Sequence, residues 1–140
     1  MNKERLLRLA DVILPKVSKE NFDMSYWECG TTACAIGWAC QDPVFKVEGF
    51  KLKKVRYDDT WKVPFYEGVE GRLTRWFAIQ RFFEIGLLDA QYLFNGIKYH
   101  GETGLRCKDV PPEAISKRIH ALIKREERKE EMLSALRYSE

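Results

Sequence analysis

The run Cys29-Gly30-Thr31-Thr32-Ala33-Cys34-Ala35-Ile36-Gly37-Trp38-Ala39-Cys40 decides how this chain folds. After a Gly-Thr-Thr start, Ala, Cys and Gly fill every position except those of Ile36 and Trp38. A helix built from such residues is thin, so neighbouring backbone can come close to its axis. Gly37 lowers helix propensity by about 1 kcal/mol relative to Ala and is retained where that contact needs the space. The stretch therefore predicts a buried, central helix over residues 32–41. Its threonines suit the N-cap, where a side-chain oxygen accepts from a free backbone N–H. Asp42-Pro43 stops it, because proline disfavours helical geometry in the residue before it.

Upstream, Leu6, Leu7, Leu9, Ala10, Ile13 and Leu14 recur at helical spacing and predict a helix over residues 3–14, ended by Pro15. Residues 16–28 alternate polar positions with Phe22, Met24 and Tyr26, which reads as an extended arm with three apolar anchors. Downstream, residues 50–66 read as a β-hairpin. A two-residue Asp58-Asp59 loop would pair Tyr57 with Thr60 and Val55 with Lys62. A three-residue loop, Asp58 to Thr60, instead pairs Tyr57 with Trp61 and Val55 with Val63, and this register is preferred because it puts apolar partners together. Pro64 confines the second strand to an edge or ends it.

From Gly71 the pattern returns to helix, with Leu73, Trp76, Phe77, Ile79, Phe82 and Phe83 forming a wide face that Gly86 interrupts. Asp89 suits the cap of a short helix over 90–94, and Asn95-Gly96 suits a left-handed stop. A loop over 99–110 leads through Pro111-Pro112 into a helix over 112–138. Ile115, Ile119, Leu122 and Ile123 give that helix a docked stripe, but Glu126 and Lys129 stand where the stripe would continue. Its middle therefore stands in water, and Met132, Leu133 and Leu136 restore apolar character beyond it. The expected architecture is mainly α (α+β): about five helices around the small-residue helix, with one small hairpin, in a single domain over 1–140 whose C-terminal helix, 112–138, partly projects.

Composition bounds the function. With 140 residues, 45% of them hydrophobic, the chain fills one core and has no room for two ordinary domains. Lys and Arg number 24 against 21 Asp and Glu, a net charge of +3, so a basic site has to be local and the chain is no cationic clamp. No apolar run approaches the ~18 residues of a membrane span, and the charged start at Lys3-Glu4-Arg5 is unlike a secretory leader, so a soluble, cytoplasmic protein is expected. In that setting Cys29, Cys34, Cys40 and Cys107 read as free packing thiols. Cys34 and Cys40 would lie about 240° apart around a helix and share no face. A metal site built from Cys29, Cys107 and His100 is the lesser reading, since the spacing matches no zinc knuckle.

The run Phe22-Asp23-Met24-Ser25-Tyr26-Trp27, followed by Cys29 to Trp38, resembles a family of small phage and bacterial proteins with the motif Cys-Gly-Thr-x-x-Cys-x-x-Gly. Pro64-Phe65-Tyr66, Phe82-Phe83 and Ala90-Gln91-Tyr92-Leu93-Phe94 extend the likeness over residues 3–123. The resemblance implies a phage or mobile-element setting, hence host cytoplasm, and assigns no catalytic residue.

A helix that starts Gly30-Thr31-Thr32 offers free N–H groups, a positive dipole end and two hydroxyls, which suit a phosphate. Lys53, Lys54 and Arg56 would balance its charge, and Trp27 or Trp61 would stack on a base. The bland reading of the same residues is a capped core helix beside core aromatics. Cys29 with His100 would make a nucleophilic pair, but spacing suggests no third residue to orient them. His120 reads as a surface residue and Asp58-Asp59 as turn residues. A helix-turn-helix over 72–96 fails because Ala90, Tyr92, Leu93 and Phe94 would turn mostly apolar groups to base edges.

These readings converge on a non-enzymatic accessory protein of phage type, without cofactor or metal, that acts by binding. It either sequesters a small phosphorylated ligand or blocks a host protein. A nucleic-acid-binding regulator and a small Cys- or metal-dependent enzyme are the alternatives. The expected ligand-binding residues are Trp27, Gly30, Thr31, Thr32, Lys53, Lys54, Arg56 and Trp61. Met132, Leu133 and Leu136 form an expected association surface that suits a homo-oligomer.

Overall fold

The computed structural model describes residues 1–27, 32–54, 62–68 and 71–138. Among them are seven α-helices and one three-stranded antiparallel sheet, the mainly α, α+β architecture that the periodicity indicates. Helix α1 (Lys3–Arg8) is capped by Asn2, whose Oδ1 accepts from the Arg5 N–H at 3.0 Å. It widens into a π-helical stretch, Leu9–Ile13, and tightens into a 3-10 turn, Leu14–Lys16. Pro15 shapes this passage. The Leu14 N–H donates to the Leu9 carbonyl, and the next bond of that series would need the N–H that Pro15 lacks. The Ala10 carbonyl it leaves over accepts instead from the Ser116 hydroxyl at 2.8 Å, which ties the N-terminal helix to the C-terminal one.

The small-residue helix is buried as its composition demands, but it is shorter than the reading over 32–41. It is α2, Ala35–Ala39, and its N-cap is Cys34 rather than a threonine: the Cys34 sulfur accepts from the Gly37 N–H at 3.5 Å. Ala33 is still extended and bridges to Phe22, so the arm and the start of the small-residue stretch run side by side. Pro43 does more than stop α2. It opens α3 (Pro43–Val47) at the first helical position, where its missing N–H is harmless, and Asp42 caps that helix by accepting from the Phe45 N–H at 3.2 Å. The same carboxylate receives both arms of the Arg8 guanidinium, at 2.8 and 2.9 Å.

Strands β1 (Phe50–Lys54), β2 (Lys62–Gly68) and β3 (Gly71–Thr74) follow, with β2 in the middle. The register corrects the hairpin reading. Val63 lies opposite Lys53, not Val55, and Phe50 opposite Tyr66. The turn residues 55–61, and with them the proposed pair of Tyr57 and Trp61, lie outside the described residues. Core packing explains the shift, because this register sets Phe50 and Tyr66 edge to face and lays both rings against Phe82. Pro64 stands within the central strand, against expectation, and pays no ladder penalty on the β3 side: β3 ends at Thr74, opposite Phe65. Residues 71–74, read as the start of a helix, are a strand, and α4 (Arg75–Phe83) begins after them.

Helix α5 (Leu87–Phe94) is capped by Gly86 rather than Asp89. Asn95 is not a left-handed stop. It is extended, and its side chain accepts from the Ile97 N–H at 3.1 Å to open α6 (Gly96–Thr103), a helix in what reads as loop. Helix α7 (Pro112–Tyr138) has the span the sequence indicates.

The core gathers around Phe45, Phe50, Phe82 and Phe83, with Phe50 stacked on Phe82 at 4.2 Å and nearly parallel. Leu6, Leu9 and Ile36 join it from the N-terminal half, and Leu93, Ile115, Ile119 and Leu122 from the C-terminal half. Arg118 is a buried cation in this wall. It donates to the carbonyls of Tyr92 (2.7 Å) and Lys98 (3.2 Å) and to the Glu102 carboxylate, and its guanidinium lies over the Tyr92 and Tyr99 rings. One side chain thus clamps α5 and α6 onto α7. No helix among the described residues is long and apolar enough to cross a membrane.

Candidate anion-binding surface

Of the eight expected ligand residues, Gly30, Thr31, Arg56 and Trp61 lie outside the described residues. Lys53 and Lys54 stand exposed on β1, the edge strand of the sheet. Strand alternation places Lys53 with Lys51 on one face and Lys54 on the other. Lys53 lies over the Phe65 ring, Nζ 4.6 Å from its centroid, so its stem covers an apolar patch that includes Val63 and Phe65.

Lys54 has a neighbour that sequence reading missed. Lys62, the first residue of β2, stands directly opposite it. Like charges directly opposite across a ladder are destabilising. Neither lysine has an acidic partner among the described residues, and the one carboxylate of the described sheet, Glu67, is engaged at the far end by Arg72 at 3.5 Å. Lysines on an edge strand also discourage strand addition, which accounts for Lys51, Lys53 and Lys54 singly. It does not account for two lysines set directly opposite each other. The apolar-matching alignment sets Lys62 opposite Arg56 instead, so its pairing with Lys54 follows only from the observed register.

Trp27 is elsewhere. Its ring meets Trp76 edge to face at 5.4 Å, and the two line a narrow cleft of about 150 Å³ with Met24, Cys34, Phe94 and Gly96. No residue of β1 belongs to the described lining of that cleft, so Trp27 and the lysines are not brought together there. Thr32 is half-buried, two residues ahead of the Cys34 cap. The phosphate argument from the helix start is corrected by the same geometry. Helix α2 is a single turn of five residues, its Gly37 N–H is already met by Cys34, and its dipole is correspondingly small. Trp38, on α2, uses its indole N–H to bond the Asn21 carbonyl at 3.0 Å.

Cys29, and with it the expected pair with His100 and the expected metal site with Cys107 and His100, lies outside the described residues. Burial pushes the Cys34 thiol up to about 11 and the Cys40 thiol well above its ordinary value, which keeps both protonated and unreactive at neutral pH. His100 sits on α6, its Nδ1 3.1 Å from the Leu105 carbonyl, and His120 on α7 pairs with Asp11 at 2.7 Å. Among the described residues no group of three His, Cys, Asp or Glu side chains is placed to hold a metal ion. On α7, Met132, Leu133 and Leu136 are 66%, 57% and 61% exposed.

No family model, no curated protein and no solved structure matches the chain.

Proposed function

We propose that this chain is a non-enzymatic binding protein, an accessory of the phage type, that holds a phosphorylated ligand at the basic end of its sheet. The Lys54 and Lys62 pair carries the reading. A fold that sets two cations face to face, with no carboxylate partner among the described residues, gives up stability locally, and rules of this kind are broken where function requires it. A phosphate oxygen between the two ammonium groups turns that repulsion into two charge-assisted hydrogen bonds. Lys51 and Lys53 add to the local field and make binding weaken with salt.

Calorimetric titration with inorganic phosphate and with mono-, di- and cyclic nucleotides tests the proposal, using Lys54→Glu. That variant converts the repulsive pair into an attractive one, so it raises thermal stability while removing ligand binding. Binding that survives both Lys54→Glu and Lys62→Glu places the ligand elsewhere. No heat with any of these probes leaves the blocking of a host protein as the surviving form of the binding hypothesis.

A further inference from the structure

Helix α7 continues a heptad beyond the body of the protein. Ile115, Ile119 and Leu122 dock it, and Glu126, Lys129, Leu133 and Leu136 prolong the same alternation of four and three residues. Lys3 reaches Glu130 at 3.2 Å, beside the start of α1, and residues 131–138 are exposed throughout. The face that docks the first half of the helix thus runs on into solvent with Leu133 and Leu136 at its seam positions and Met132 at its flank.

We infer that a second copy of this chain covers that face, with the two α7 ends antiparallel. Centring the pair between Ser134 and Ala135 sets Leu133 against the partner's Leu136, and Leu136 against the partner's Leu133. The flanking positions then bring Glu130 beside the partner's Arg137, and Arg137 beside the partner's Glu130. Both electrostatic contacts are attractive, and Glu130 is exposed enough to accept from Arg137 while Lys3 holds its other side. A parallel pair has the opposite outcome. It sets Lys129 against the partner's Lys129 and Glu126 against the partner's Glu126 in the seam, and it drives two bodies toward the same end of the assembly. Charge therefore selects the antiparallel arrangement.

Sedimentation equilibrium over a wide concentration range tests this with the full chain. The contact is short, so the expected dimer dissociates at roughly 10–100 µM. Leu133→Glu is expected to weaken it about a hundredfold without altering the melting temperature, since that side chain stands in solvent in the monomer. Glu130→Arg and Arg137→Glu each set like charges together twice per dimer and are expected to weaken it roughly tenfold. The double variant restores attraction and returns the dimer to near the starting affinity. A single monomeric species throughout overturns the proposal. So does a dimer that ignores Leu133→Glu, or a double variant no better than its parents.

Discussion

The backbone carbonyl oxygen of Trp27 occupies the place that a β-carbon on Gly37 would need. The methyl group of Ala33 crowds the same point at 2.7 Å. The arm that ends at Trp27 therefore lies directly on the thin helix, and the absence of a side chain at one position lets it do so. Replacing Gly37 by Ala pits a gain in helix propensity of about 1 kcal/mol against this overlap with backbone, which cannot rotate away. Overlap wins: Gly37→Ala is expected to cost about 1–3 kcal/mol, read from the denaturant midpoint, and Gly37→Leu more. An unchanged midpoint in both would mean that the arm does not rest on α2.

Asp42 supplies a pH dependence of known sign. Its hydrogen bonds from Arg8, reinforced by the Phe45 N–H, hold its carboxyl below the usual carboxylate range. A depressed carboxyl contributes stability that is present above its unfolded-state value near pH 4 and is lost as pH falls through the lower folded value. Asp42→Asn keeps the helix cap but loses the charge, so it should be less stable by about 1–2 kcal/mol at pH 7. The gap between the two proteins should narrow as melts are repeated from pH 5 down to pH 2. A constant gap would show that the ion pair is not its source.

The cysteines should separate by reactivity. Iodoacetamide followed by peptide mapping should modify Cys107, which is partly exposed, well before Cys34 and Cys40, which react only as the chain unfolds. Because burial raises the Cys34 thiol to about 11, its contribution to stability is intact below the unfolded value near 9 and is lost as pH rises toward the folded one. Equal labelling rates for Cys34 and Cys107 in the native protein would contradict the burial of α2.

Glu84 offers a stabilising change. It ends α4 in the left-handed region, at φ 54°, where a β-carbon is strained and glycine is not. Among the described residues Glu84→Gly gives up an exposed contact with Asn2, and it is expected to raise stability by about 0.5–1 kcal/mol in thermal melts. A drop of that size would instead assign the Asn2 contact the larger role.

Several elements could be read without coordinates, and the reasons are physical. Helix α7 announces itself because Pro111-Pro112 marks its start and Ile115 to Ile123 repeat at 3.6 residues; the burial of α2 follows from side-chain volume alone. Matching Val55 to Val63 gives the wrong hairpin register because it considers two strands in isolation, whereas Phe50 and Tyr66 answer to Phe82 on a third element. Strand β3 hides in four residues whose Leu73 fits a helical period as well as a strand. Helix α6 hides behind Gly96, Gly101 and Gly104, and Asn95 misleads because the same side chain serves a left-handed stop and an N-cap. At the candidate surface, the lysines of β1 are plain in the sequence. Lys62 is matched to Lys54 rather than to Arg56 only once the register is known, and nothing local to Trp27 points to Trp76.

The bond between Ser116 and Ala10 joins positions 106 residues apart, and His120 with Asp11 and Lys3 with Glu130 repeat the link along the same two helices. During synthesis, α1 leaves the ribosome with its apolar stripe made and the helix that covers it not yet translated. Leu6, Leu9 and Leu14 must wait, sheltered by whatever they meet, until residues 112–123 emerge. The N-terminal side of such a core closes last, and until it does the uncovered stripe is a target for proteases and for aggregation.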